Sequence, residues 1–239
     1  MRKIKFTKDG IYHVFNRGVE KRNIFQNDSD RWRFIQALYL FNDKDSSANL
    51  LWRIEHEKGG LNFKTLRDFL SENKQEQRPL VKIIADCLMP NHYHLILKEI
   101  EDGGVSKFMH KIGTGYTSYF NKKYNRTGRF FQGTFKAVSV DNDLYLQYLL
   151  IYLNVVNPGQ IIEPEIKEKG VKDIDAIMKF AENYTWSTHQ EYIGKRNSVI
   201  IDKCELADFF PEPIKYQEFA RDVLSARKYN TISNLFLED

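Results

Sequence analysis

Apolar positions recur along this chain with two periods, and the switch between them marks out the elements. In "GIYHVFNRG" (10–18) aromatic and β-branched residues stand between two glycines, which predicts a first strand and a turn. "NDSDRWRFIQALYLFN" (27–42) opens on capping residues and then places Trp32, Phe34, Ile35, Leu38 and Phe41 at helical spacing. "LVKIIADCLM" (80–89) and "HYHLILKEI" (92–100) predict two strands joined through Pro90 and Asn91, a hairpin. "GVSKFMHKIGTGYTSYFNKKYN" (104–125) sets Val105, Phe108, Met109, Ile112, Tyr116 and Phe120 on one helical stripe. "RTGRFFQGTFKAVSV" (126–140) reads as a turn and a strand. "DNDLYLQYLLIYLNVVNP" (141–158) reads as a long apolar helix capped by Asp141 or Asp143 and stopped at Pro158.

The order strand, helix, strand, strand, helix, strand, helix predicts an α+β fold. It is a ferredoxin-like antiparallel sheet with helices mainly on one face. Residues 43–79 are more polar and of mixed pattern, so they read as an insertion carrying a short helix near 63–73. Beyond Pro158 the chain turns polar, with short apolar patches in "ENYTWSTHQEYIG" and "YQEFARDVLSARKY". We therefore divide it into a main domain, 1–158, and a small C-terminal extension, 159–239, packed on that domain. No internal repeat is present.

Composition narrows the class. With 42% hydrophobic and 28% charged residues among 239, the chain can bury one good core. A net charge of +4 permits a nucleic-acid partner without requiring one, so the distribution of charge matters more. From Gly103 to Val140 there is no Asp or Glu, while Lys107, Lys111, Lys122, Lys123, Arg126, Arg129 and Lys136 are interleaved with aromatics. Basic side chains neutralise phosphates and exposed aromatics stack on unpaired bases, which favours single-stranded or hairpin nucleic acid. The aromatics of the apolar stripe itself belong to the core. The cluster "NKKYNRTGR" lies off it and, with Arg17, Lys122, Lys123, Arg126, Arg129 and Lys136, forms the candidate DNA-binding set. Cys87 and Cys204 are far apart and make no CxxC pair, which fits a reducing cytoplasm. No apolar run approaches the 18 residues of a membrane span, and the basic N-terminus lacks the apolar stretch of a signal peptide, so a cytoplasmic location without a membrane is expected.

Two features carry candidate chemistry. In "MPNHYHLIL" (89–97), His92 and His94 leave the same face of a strand, with Tyr93 on the other. A pair of imidazoles suggests a divalent metal but does not complete a site; the further ligand, an Asn, Gln, Asp, Glu or His, must come from elsewhere in the fold. Tyr145, Tyr148 and Tyr152 follow at spacings of 3 and 4, on one side of a helix. Aromatics so spaced are usually core, yet a tyrosine hydroxyl, once activated, can act as a covalent nucleophile.

Together "YHVFNRG", "CLMPNHYHLIL", "NRTGRFFQGTFKA", "YLLIYLNVVNP" and "YTWSTHQEYIG" resemble, in this order, the single-tyrosine HUH transposases, and most nearly their REP-associated branch, relatives of the transposases of small hairpin-ended insertion sequences. The likeness covers about residues 10–200. It implies that His92, His94 and a polar third group hold Mg²⁺ or Mn²⁺. It also implies that a tyrosine attacks the scissile phosphate of single-stranded DNA, leaving a 5′-phosphotyrosine and a free 3′-hydroxyl. Tyr152 matches the nucleophile, with Tyr148 in reserve, and Asn157 is a candidate third ligand or helix-end group. Relatives act as monomers or homodimers. One departure stands out: four residues separate Tyr152 from Asn157 where the family commonly has three. An extra residue turns an α-helix by about 100°, so the usual relation requires a bulge, for which a π turn is one solution. The alternative is a domesticated hairpin-binding protein without cleavage. A metal phosphodiesterase that uses water is a weaker rival.

Overall fold

In the computed structural model, residues 4–44, 67–68 and 78–226 are described. Most of the 43–79 insertion, including the helix expected near 63–73 apart from residues 67–68, lies outside them. The elements run β1 (Ile11–Arg17), α1 (Asp28–Leu40), β2 (Val81–Met89), β3 (His92–Glu99), α2 (Gly104–Lys123), β4 (Lys136–Ser139) and α3 (Asp143–Ile151). The sheet has the order β2-β3-β1-β4, and every neighbouring pair is antiparallel. This is the α+β, ferredoxin-like plan expected from the order of the elements. Helices, however, cover both faces of the sheet rather than mainly one, because the extension adds a second helical layer.

Period-2 alternation divides the sheet between two cores. Tyr12, Val14, Tyr93, Leu95 and Leu97 pack with Phe34 and Leu38 of α1 and with Val105, Phe108, Ile112 and Tyr116 of α2. The whole predicted stripe of α2 is buried. Each such side chain contributes about 1.5–3 kcal/mol on leaving water. Glu99, fully buried at the end of β3, accepts hydrogen bonds from the Gly103 and Val105 amides at 3.0 Å each, which joins strand to helix and places a carboxylate at the helix N-terminus.

The opposite face is covered by α3 and the C-terminal extension. Ile84, Cys87 and Ile96 pack with Leu149 and Leu150 of α3, with Ile177 of α4 (Ile174–Asn183), and with Tyr216 and Val223 of α5 (Pro213–Ser225). The extension also satisfies the outer edge of β2: the Leu88 amide donates to Trp186, while Asp86 and Ile83 carbonyls accept from Thr188 and Asp202. An edge strand left with such groups unpaired invites aggregation.

The last predicted helix differs from expectation in its cap and in the role of Pro158, and it holds the π turn that its spacing pointed to. Its cap is Asn142, whose side chain accepts from the Tyr145 amide, rather than Asp141 or Asp143. The α-helix ends at Ile151 and passes into a π turn, Tyr152–Val156, in which the Asn157 amide donates to the Tyr152 carbonyl. Pro158 then lies inside a final helical turn, Asn157–Gly159, and does not stop the helix.

Asp86 is buried beside the ion pair between Glu191 and Arg196. Burial, helped by Glu191 and opposed by Arg196, pushes its pKa up to about 7. A carboxyl raised in the fold favours the protonated form, so its contribution to stability is lost as pH rises from about 4 through 7. His189 has the opposite sign: burial lowers it to about 4, and it destabilises the fold as pH falls from about 6.5. Asp86→Asn should remove the first slope alone, gaining on the parent protein by up to about 4 kcal/mol between pH 4 and 8 in urea titrations. Truncation after Gln160 should strip the second core and yield aggregated protein, read as the soluble fraction on expression.

Candidate active site

A pocket of about 220 Å³ opens at the β1–β3 end of the sheet, lined by Phe15, Asn16, Arg17, His92, His94, Gln132, Gly133, Thr134 and Lys136. Antiparallel register sets Arg17 opposite His92 and Phe15 opposite His94, so neighbouring strands supply its basic and imidazole groups together. Among the described residues no carboxylate lines it. His92 and His94 lie with ring centroids 5.0 Å apart, nearly perpendicular.

Each histidine is oriented by its other nitrogen. His92 Nδ1 is 2.6 Å from Asn91 Oδ1, an oxygen that only accepts, so Nδ1 carries the proton and Nε2 the lone pair. His94 Nδ1 is 2.9 Å from Nε2 of His13, a fully buried residue of β1. When Nδ1 donates there, His94 too has its lone pair on Nε2. His13 was absent from the sequence-derived candidates. Its place in "YHV" marks it as strand, but the pairing of β1 with β3 brings it to His94, and that register is not legible in a single sequence.

Among the described residues no group of three His, Cys, Asp or Glu side chains could hold a metal ion. The donors available with the two imidazoles are therefore neutral oxygens, Gln132 and Thr134 in the same pocket. Two imidazoles with amide and hydroxyl oxygens suit a borderline octahedral cation better than a closed zinc site.

The tyrosines of α3 and its π turn separate. Tyr152 meets His94 edge to face, centroids 6.0 Å apart at 86°, and is only 2% exposed. Its hydroxyl accepts a hydrogen bond from Lys167 Nζ at 2.5 Å. Tyr148 turns towards the extension, its ring 5.5 Å from that of Phe219. Tyr145 is held in a partly buried site where desolvation and then Asp141 push its pKa up to about 12. Asn157 is fully buried outside the histidine pocket, and its Oδ1 accepts from Gln160 Nε2 at 2.9 Å. In the π turn, residues five apart take the place of residues four apart in an α-helix. The extra residue before Asn157 is absorbed in this way. Asn154, inside the turn, is pinned by Thr188 Oγ1 at 2.8 Å.

The basic candidates also divide. Arg17 and Lys136 line the pocket. Arg129 lines a wider groove of about 820 Å³ along α2, whose walls share Asn16, Gly133 and Thr134 with the pocket and hold no carboxylate. Lys122 is exposed, and Arg126 lies over the rings of Phe120 and Phe130 at 5.9 Å. Lys123 is engaged elsewhere: it pairs at 2.6 Å with buried Asp30. Burial works against the Asp30 carboxylate, but hydrogen bonds from Lys123, Tyr124 and Gln26 outweigh it and hold its pKa below the ordinary value. Lys123 thus joins α2 to α1, a duty its place in a basic run does not reveal.

Among the described residues, the site thus combines a pocket lined without carboxylates, two oriented histidines, a tyrosine against one of them and a groove leading away along a polar helix face. This arrangement suits an anionic polymer. The family model for IS200-like transposases matches residues 7–155, and the chain belongs to that family. No curated protein matches it. Among solved structures it is similar to a REP-associated tyrosine transposase bound to a REP hairpin, at 13% identity over 84% of this chain and 96% of that one, with a TM-score of 0.48. It is also similar to the tRNA(His) guanylyltransferase of Saccharomyces cerevisiae, at 11% identity over 86% of this chain and 94% of that one, TM-score 0.32.

His13→Phe removes the hydrogen bond to His94 at a fully buried position. It should destabilise the fold by about 1–3 kcal/mol in urea titrations, the cost of a broken buried hydrogen bond.

Proposed function

We propose that this protein is a single-tyrosine HUH-type DNA strand transferase acting on single-stranded DNA, at hairpins. Tyr152 attacks the scissile phosphate, giving a 5′-phosphotyrosine and a free 3′-hydroxyl. One observation carries the assignment of the nucleophile: of the two candidate tyrosines, Tyr152 alone meets the histidine pair, while Tyr148 packs on α5.

The remaining residues take roles from their places. His92 and His94 would hold Mg²⁺ or Mn²⁺ through Nε2, with His13 and Asn91 fixing their tautomers and with neutral oxygens completing the set. Gln132 and Thr134 are nearer in kind to that duty than Asn157, whose amide oxygen is engaged by Gln160. Such an ion supplies Lewis-acid polarisation of the phosphate oxygens. Imidazole donors favour Mn²⁺ over Mg²⁺. Arg17 and Lys136 neutralise phosphates flanking the scissile bond, and Arg129, Arg126 and Lys122 extend that contact along the acid-free surface.

The 2% exposure of Tyr152 favours a second possibility, a hairpin-binding protein without cleavage. One assay separates them. A hairpin oligonucleotide with a single-stranded flank, incubated with Mn²⁺ or Mg²⁺, should yield a protein–DNA adduct stable to denaturing electrophoresis. Tyr152→Phe should abolish the adduct and Tyr148→Phe should retain it. An adduct that survives Tyr152→Phe and disappears with Tyr148→Phe overturns the assignment. Salt-sensitive hairpin binding with no adduct under either metal identifies the binder.

A further inference from the structure

The C-terminal extension reaches the phenol that we assign as nucleophile. Lys167 lies on a short helical turn, Ile166–Lys169, beyond the 7–155 span of the family match. Ile166 anchors that turn in the second core, with 1% of its surface exposed. From there Lys167 Nζ donates to Tyr152 Oη at 2.5 Å and stands 4.8 Å from the centroid of the same ring. A short charge-assisted hydrogen bond to a buried hydroxyl is worth roughly twice a neutral one. Surface lysines are usually solvated, and covering an aromatic ring would not require Nζ to meet the oxygen.

We propose that Lys167 is a catalytic residue, its ammonium stabilising the negative charge that develops on Tyr152 Oη as the phosphotyrosine bond forms and breaks. This deepens the function proposed above and rests on Tyr152 being the nucleophile. In cleavage the Oη–P bond forms as the P–O3′ bond breaks. The phenol gives up its proton and the departing 3′ oxygen gains one, so protons and charge balance. In rejoining, the 3′-hydroxyl attacks phosphorus, loses its proton, and the phenol leaves and recovers one. Lys167 keeps its charge throughout, donating to the same oxygen as nucleophile and as leaving group. A preorganised donor at an oxygen that gains charge in the transition state acts more strongly there than in the ground state.

The test uses the full chain with the hairpin oligonucleotide and Mn²⁺, in single turnover at saturating protein. Lys167→Met, nearly isosteric and without a donor, should slow adduct formation by on the order of 10²-fold, with hairpin affinity unchanged. Rejoining of a trapped adduct with added 3′-hydroxyl strand should slow likewise. Lys167→Arg, which keeps a cationic donor, should recover to within about tenfold of the parent rate, and Lys167→Gln should fall between the two. A purely structural lysine predicts a lower melting temperature with Arg no better than Met, and that outcome overturns the proposal. So does a Met variant that reacts at the parent rate or faster, the latter marking the contact as a latch. If Lys167→Met does not fold, the ratio of the Arg and Gln rates decides: equal rates overturn it. Absence of any adduct in the parent protein refutes the strand-transferase assignment itself, and the Lys167 proposal with it.

Discussion

The structure depends on a strand that must be buried on both sides. β3 lies inside the sheet, so its alternate residues enter different cores: Tyr93, Leu95 and Leu97 one, His94 and Ile96 the other. A shift of one residue would exchange the faces, burying two imidazoles among the phenylalanines of α1 and α2 and turning Tyr93 to the pocket. Register is therefore held by hydrophobic burial along the whole strand, and the histidine pair inherits that precision without paying for it locally. The same register brings His13 of β1 against His94 and Arg17 to the pocket. The mouth of the site is thus fixed by a strand buried on both faces, a sound base for the histidine pair.

The second side of the site is built differently. Tyr152 comes from a helix that leaves α geometry at that residue, and a π turn lacks the compact hydrogen bonding that sustains an α-helix. The turn persists because the extension holds it: Thr188 binds Asn154, Lys167 binds Tyr152, and both come from segments that also close the edge of β2 or enter the second core. The boundary of the family match at residue 155 is consequently no boundary of packing. Main domain and extension share one apolar cluster, and the tyrosine stands at their junction.

Much of this was legible beforehand. Periodicity located every strand and the three main helices, because each buries a face wide enough to leave a regular apolar signature. The π turn was legible too, as a spacing: one residue too many between Tyr152 and Asn157 has few structural solutions. What sequence could not supply were pairings distant along the chain. His13 lies 81 positions from His94, and Lys123 is drawn from a basic run to Asp30 across 93. Lys167 stands in a polar stretch, "EIKEKG", that carries no sign of a phenol nearby. The extension as a whole read as an appendage because its apolar patches are short; their joint burial against α3 makes them a layer. Local pattern reveals elements, whereas the partners of polar side chains follow from topology.

These two constructions have consequences for how the site works. The histidine pocket takes its walls from paired strands and from Gln132, Gly133 and Thr134, with Arg17 and Lys136 among them. Tyr152 is closed over, its edge on His94 and its hydroxyl held by Lys167. Of the rings of Tyr152, His94 and His92, only that of His92 is more than marginally exposed. On the proposed assignment of Tyr152, its phenol must leave this packed position to meet a phosphate held beside the histidine pair. That movement requires only that the turn carrying Tyr152 be the part of the site that yields. An irregular helical turn pinned by single hydrogen bonds meets that requirement, while β3, buried on both faces, does not.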